Sequence, residues 1–150
     1  MEMKKFVSMI AILLVLSTST FAQNGYSLQI GAVSADGSTG LVGGMGGFWG
    51  KPSDAVVGVG YINYANTSEI GWFGVDGDLW IFPAGERWYG LVGANAQAFR
   101  VKEEETGDWQ YGFNVGSGYL MTSWAAIELK YSRIRDINAI KFHIIAVMWE

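Results

Sequence analysis

Ionisable residues that could do chemistry recur in this chain at a spacing of two. Paired carboxylates can serve as a general acid and a general base, and a histidine can activate a nearby serine. The same spacing on a β-strand directs both side chains to one face, where opposite charges neutralise each other. The pairs are Asp76 with Asp78, Glu128 with Lys130, and Lys141 with His143.

We interpret these six residues as a structural network of ion pairs and expect no catalytic residue among them. Three acids face two lysines and one titratable ring, and buried charges persist only when they are paired and hydrogen-bonded. His143, the only histidine, has no serine beside it in the sequence. Ser132 could approach it across the last hairpin, but nothing in the spacing selects this residue. An acid–base dyad of Asp76 and Asp78 is the less favoured alternative.

A glycine-rich segment at residues 40–51 resembles a phosphate-binding loop but lacks its key positions. Met45 stands where the first glycine of that motif belongs, and Pro52 follows Lys51 where a serine or threonine should bind magnesium. We therefore expect a backbone role in a closely packed strand, and no cofactor. The triplet Gly47-Phe48-Trp49 matches the short G-x-W motif of lipocalins, so a soluble ligand-holding barrel stays open as an alternative.

Composition limits the class of protein. The chain has 150 residues, of which 50% are hydrophobic and 16% charged, with 21 glycines and no cysteine. Disulfide frameworks, thiolate metal sites and lipoprotein anchors are thereby excluded, and we expect no metal. The acidic run 103–105 is read as a solvated loop. The net charge of −4 disfavours nucleic acid as a partner.

The N-terminal segment predicts export. Lys4 and Lys5 precede an apolar run from Phe6 to Leu16, which is followed by small polar residues and Ala22. This is the pattern of a secretory signal peptide, and the run is too short for a membrane-spanning helix. We expect residues 1–22 to be removed, leaving a single domain of residues 23–150.

From residue 23 onward, alternation of apolar and polar residues predicts an all-β protein. Most of the alternating stretches are longer than typical soluble strands and suit tilted membrane-spanning strands of about 9–11 residues. The even-numbered connections are predicted to be tight turns and the odd-numbered ones to face outward. The eight predicted strands are Tyr26–Ser34, Thr39–Trp49, Ala55–Tyr64, Glu69–Phe82, Arg87–Val101, Trp109–Tyr119, Trp124–Ser132 and Ala139–Trp149.

The stretches Tyr111–Tyr119 and Ala125–Arg133 resemble the late hairpin of the small eight-stranded outer-membrane β-barrel proteins, a family that includes the OmpA transmembrane domain and OmpX. As in that family, a strand with several glycines is followed by a tight turn and by a strand whose acid and base face inward and whose aliphatic residues face outward. One departure is the terminal Glu150, where that family typically ends on an aromatic residue. The resemblance implies an eight-stranded antiparallel up-and-down transmembrane β-barrel in the outer membrane of a Gram-negative bacterium.

In such a barrel the ionisable residues named above form a packed polar lumen with no open pore. We expect Lys141 and His143 to face this lumen, which places Met148 and its alternate neighbours on the lipid side. Tryptophans near strand ends are predicted to form an aromatic girdle at the membrane interfaces. The predicted girdle residues are Trp49, Trp72, Trp80, Trp88, Trp109 and Trp124.

The function expected from the sequence is a structural or interaction role without enzyme activity. The expected partners are outer-membrane lipid and, during biogenesis, the barrel assembly machinery; a monomer is expected. Two alternatives remain: a soluble periplasmic or secreted barrel that binds a small apolar ligand, and a lipid-modifying outer-membrane enzyme.

Overall fold

The computed structural model describes residues 25–51, 54–101 and 109–149, and the predicted signal peptide and the run 103–105 lie outside them. The described residues form eight β-strands. No helix in these ranges is long and apolar enough to cross a membrane. The strands are β1 (Gly25–Ala35), β2 (Ser38–Trp49), β3 (Val56–Thr67), β4 (Ile70–Ile81), β5 (Trp88–Val101), β6 (Trp109–Leu120), β7 (Ala125–Ile134) and β8 (Ile137–Trp149).

The strands close into one antiparallel up-and-down barrel. Each strand pairs with its neighbours in the sequence, and β1 pairs with β8 to close the wall. In that closing pair Ile30 lies opposite Ile144. The predicted all-β fold and all eight predicted strands are confirmed, with ends that shift by at most a few residues. In a closed wall, each strand has a neighbour on both sides.

Alternation along each strand separates an inner face from an outer face. In β8 the side chains of Lys141, His143 and Ile145 are buried, whereas Phe142 and Ile144 are about half exposed. The predicted orientation of the last strand is therefore confirmed. The reason is that a one-residue slip would move both polar side chains to the apolar outer face.

The two ends of the barrel differ in their connections. We call the end where β1 begins and β8 ends the near end, and the opposite end the far end. At the far end Asp36 and Gly37 join β1 to β2, with φ values of 45° and 85°, which are typical of a two-residue hairpin. Arg135 and Asp136 form the two-residue connection between β7 and β8, in which Arg135 has a φ of 53°.

The assignment of the tight turns from the sequence was wrong in detail. The near-end connections, residues 50–55, 82–87 and 121–124, are longer than the described far-end hairpins. Residues expected in far-end loops, such as Ser38 and Thr67, instead belong to strands. The Oγ atoms of these two residues lie 2.7 Å apart, and Thr67 also bonds the backbone of Ile70, so side-chain hydrogen bonds extend the ladder into the turn.

Two apolar layers close the interior. The near-end layer contains Phe48, Trp80, Phe82 and Tyr89, and the Trp80 and Tyr89 rings stack 4.2 Å apart. The far-end layer contains Val33, Trp72, Phe99 and Ile134, among others. The polar residues of the lumen lie between these layers.

Candidate functional site

The central feature of the interior is the ammonium group of Lys130. It lies 2.5 Å from Asp78 Oδ2, 3.3 Å from Asp76 Oδ2 and 3.6 Å from Glu128 Oε1. The same group lies 5.1 Å from the centroid of the Tyr61 ring. None of its side chain is exposed. Three carboxylates and an aromatic face thus surround one buried cation, which offsets the cost of removing these charges from water.

Asp76 and Asp78 come together because both occupy inward positions of β4. Their second carboxylate oxygens are also bonded: Gln97 Nε2 donates to Asp76 Oδ1 at 2.8 Å, and Asn114 Nδ2 donates to Asp78 Oδ1 at 2.8 Å. A buried carboxylate requires such donors on both oxygens. The amides of Gln97 and Asn114 therefore bond the carboxylate oxygens that Lys130 does not contact.

The side-chain amide of Asn114, on β6, bonds residues of three other strands. Its Oδ1 accepts from Asn95 Nδ2 and from Ser132 Oγ, both at 2.7 Å, while its Nδ2 serves Asp78. Because this amide donates and accepts in defined directions, it fixes the relative positions of β4, β5, β6 and β7. The hydroxyl of Ser132 is thereby directed to Asn114.

Glu128 forms the second branch of the network. Tyr89 Oη donates to Glu128 Oε2 at 2.9 Å, and His143 Nδ1 lies 3.5 Å from Glu128 Oε1.

Lys141 Nζ lies 3.7 Å from Asp76 Oδ2 and 5.7 Å from the centroid of the Trp72 ring. Lys141 therefore connects the acids of β4 to the far-end layer.

Two inward glycines give these side chains their room. A Cβ on Gly93 would collide with Oδ1 and the backbone of Asp78. A Cβ on Gly118 would collide with the Tyr89 ring, which crosses that position on its way to Glu128. Glycine at these two positions thus has a steric cause, since a larger residue would displace Asp78 or Tyr89.

The structure brings together all six ionisable residues singled out from the sequence. The sequence did not identify their neighbours Tyr61, Tyr89 and Gln97, nor the hydrogen bonds that join Asn114 to Asn95 and Ser132. Alternation alone places Asn114 on the inner face of β6, but pairing across strands depends on the tilt and stagger of the barrel. A single sequence does not specify that stagger.

The predicted aromatic girdle is wrong for two of its six residues. Trp72 and Trp80 are 1% and 0% exposed and belong to the two interior layers. They share the inner face of β4 with Asp76 and Asp78, so alternation, rather than nearness to a strand end, decides their direction.

The other four predicted girdle residues lie on the outer side. Trp88, Trp109 and Trp124 are exposed there at strand ends. Trp49 lies across Gly58 and Gly60 on the outer face of β3. Trp149, which stands outside the predicted girdle, packs 4.8 Å from Phe48 at the near end, and its Nε1 donates to Ser123 O.

This geometry opposes the chemical alternatives. Lys130 bridges both aspartates, where an acid–base dyad would need one of them free to exchange a proton with a substrate. Ser132 bonds Asn114 rather than His143. In the described parts of the chain, no three metal-ligating side chains form a group that could hold a metal ion. Lys130 occupies the point where the carboxylates converge.

Comparison with solved structures finds proteins of the same fold. The structure resembles a designed transmembrane β-barrel with a TM-score of 0.60 and 12% identity, over 83% of this chain and 95% of the other. It resembles Neisserial surface protein A (NspA) with a TM-score of 0.53 and 10% identity, over 81% of this chain and 96% of the other. The attachment invasion locus protein Ail of Yersinia pestis matches at 13% identity and a TM-score of 0.46, covering 84% and 97%.

No protein family and no curated protein matches the chain by sequence. The fold and the interior together define its class: a closed eight-stranded antiparallel barrel of the kind found in small transmembrane β-barrels.

Proposed function

We propose that this chain is a small outer-membrane β-barrel protein with a structural or interaction role, no open pore and no catalytic activity. The observation that carries the proposal is the inverted distribution of polarity. Charged and amide side chains are buried inside, while aliphatic and aromatic side chains cover the outside. Water-soluble proteins distribute these groups in the opposite way, whereas a barrel in hydrocarbon requires this arrangement.

Outward positions along β7 and β8 illustrate that apolar cover. Leu129, Ile140, Phe142 and Ile144 are between 46% and 56% exposed. Contiguous apolar surface of this extent is rare on soluble monomers. The strands of 10 to 14 residues are long enough to cross the hydrocarbon layer at a tilt.

The filled lumen supports the absence of a pore. Eight strands enclose just enough space for side chains. Here that space holds the network around Lys130 and an apolar layer at each end. Among the connections that the structure describes at the far end, the two-residue hairpins add little surface beyond the barrel wall, which favours a role exercised within or at the membrane.

Export by the predicted signal peptide and cleavage after Ala22 are part of this proposal. A soluble barrel for an apolar ligand is the less favoured function, because its interior would be apolar and its exterior polar. A lipid-modifying enzyme is less favoured because the candidate residues His143 and Ser132 are buried.

The direct test is the solvent that the folded protein needs. Purified mature chain should fold only with detergent or lipid, and the unboiled protein should migrate faster than the boiled protein on a denaturing gel. Cell fractionation should recover it with the outer membrane. A monodisperse folded protein in plain buffer would refute the proposal and favour the soluble barrel.

A further inference from the structure

Two arginines lie at the far end of the barrel, on and just beyond the outer face of β7. Arg133 is exposed, with Tyr131 before it on the same face, and Arg135 follows in the hairpin. Across the ladder, Arg133 lies opposite Phe113 of β6 and Asn138 of β8. We call Arg133 and Arg135 the basic rim.

The charge of the basic rim is only weakly compensated. Among the described residues, no carboxylate lies within ion-pair distance of Arg133, whose Nε donates to Arg135 O at 3.3 Å. Arg135 Nε lies 3.7 Å from Asp136 Oδ2, and these side chains are 68% and 88% exposed. Arg135 Nη1 also donates to Gln110 Oε1 at 3.3 Å, at the surface. Exposed contacts of this kind contribute little, so the other N–H groups of both guanidinium groups remain available to an anion.

The basic rim adjoins an aromatic and aliphatic surface. The Phe113 and Tyr131 rings lie 6.2 Å apart beside Arg133, and Tyr111 is 73% exposed on the neighbouring strand. Toward the near end, the same outer face continues with Leu129 and Phe142. Positive charge at the far-end edge of an apolar outer face is complementary to a molecule with an anionic head and hydrocarbon tails.

We propose that the basic rim binds the phosphate of an anionic lipid headgroup, with the acyl chains against Phe113, Tyr131 and Leu129. The inference rests on the proposed membrane location. A guanidinium group binds phosphate through two parallel hydrogen bonds, which a tyrosine or asparagine at this level does not provide. A soluble anion would engage the arginines but leave the adjoining apolar surface unused.

The test is native mass spectrometry of the refolded protein in micelles with equal amounts of phosphatidylglycerol and phosphatidylcholine of identical acyl chains. The wild-type protein should retain phosphatidylglycerol preferentially. Arg133→Gln with Arg135→Gln should reduce that preference at least fivefold, since each basic residue near an anionic surface contributes about that factor. Arg87→Gln is the matched control, because Arg87 lies at the near end and donates to Met121 O.

Several outcomes separate the possibilities. Each single variant should show about a fivefold loss, which keeps the test valid if the double variant does not fold. Displacement of phosphatidylglycerol by equimolar inorganic phosphate would overturn the lipid assignment. Equal retention of both lipids by a protein that enters phosphatidylcholine vesicles would refute only this inference. A protein that fails to enter any vesicle would refute the membrane location itself.

Discussion

Lys130 determines whether the interior charges are tolerated. Its ammonium group serves Asp76, Asp78 and Glu128, so Lys130→Met leaves three buried carboxylates with much less compensation. We expect the free energy of unfolding to fall by about 3–5 kcal/mol, as for other buried pairs that lose one partner. Urea titration of the protein in lipid vesicles measures it. Lys51→Met, at an exposed position, is the control and should change stability by less than about 0.5 kcal/mol.

A second residue-scale prediction concerns the hydroxyl of Tyr89. Tyr89→Phe removes the donor to Glu128 Oε2 while keeping the ring that stacks on Trp80. A hydrogen bond to a charged group contributes about 1.5–3 kcal/mol, and stability should fall by that amount. Tyr119→Phe, on the exposed outer face, should be nearly neutral. Equal effects of the two substitutions would contradict the role of Tyr89 in the network.

The ionisable residues of the interior could be predicted from the sequence, but their hydrogen-bond partners could not. The six ionisable residues were identifiable because they alternate along their strands with residues of the opposite, outer face, which are mostly apolar. Trp72 was misassigned because its position near a strand end was given more weight than its alternation. The amide partners Gln97 and Asn114 could be placed on a face but not paired, since pairing across the lumen depends on stagger.

At the scale of elements, closure of the barrel depends on β1 and β8. Ile30 and Ile144 lie directly opposite each other on the outer face, and opposite residues in antiparallel strands are close enough for a disulfide. Because the chain has no cysteine, Ile30→Cys with Ile144→Cys introduces a single possible bridge.

The double-cysteine variant should form this disulfide on oxidation after folding. The oxidised, boiled protein should then migrate differently from the reduced one, because the bridge closes a long loop. Ile30→Cys with Ile145→Cys is the control, since Ile145 faces the interior and should not form the bridge. Efficient crosslinking of this control instead would show that the strands are out of register.

Strand positions were predictable because each strand keeps a period of two along most of its length. The ends of the strands were harder to predict. Asp36 and Gly37 form a turn with both residues at positive φ, which is shorter than the predicted loop. The Thr67 hydroxyl donates to the backbone oxygen of Ile70 across the β3–β4 turn, and β3 extends to this residue. Hydrogen bonds formed only on folding decide these boundaries, and the period of the sequence does not report them.

At the scale of the whole molecule, the filled lumen predicts that the protein does not conduct ions. Planar bilayers that contain the folded protein should show the background conductance of the lipid alone. Lys130→Met is informative here as well, because loosening the network without removing the apolar layers should leave conductance low. Stable single-channel steps from the wild-type protein would contradict a closed interior.

The proposed function requires that the outer face of the barrel lie in hydrocarbon while the polar residues are enclosed. The most direct measurement is the collision of a nitroxide label with oxygen and with a water-soluble nickel chelate, in the protein folded into phosphatidylcholine vesicles. Labels are attached to single cysteines at Ile144, in the middle of the outer face of β8, and at Asp136, in the far-end hairpin. We expect the label at Ile144 to collide with oxygen and to be shielded from the chelate, whereas the label at Asp136 should collide with the chelate. Free access of the chelate to both labels would contradict a membrane-spanning barrel.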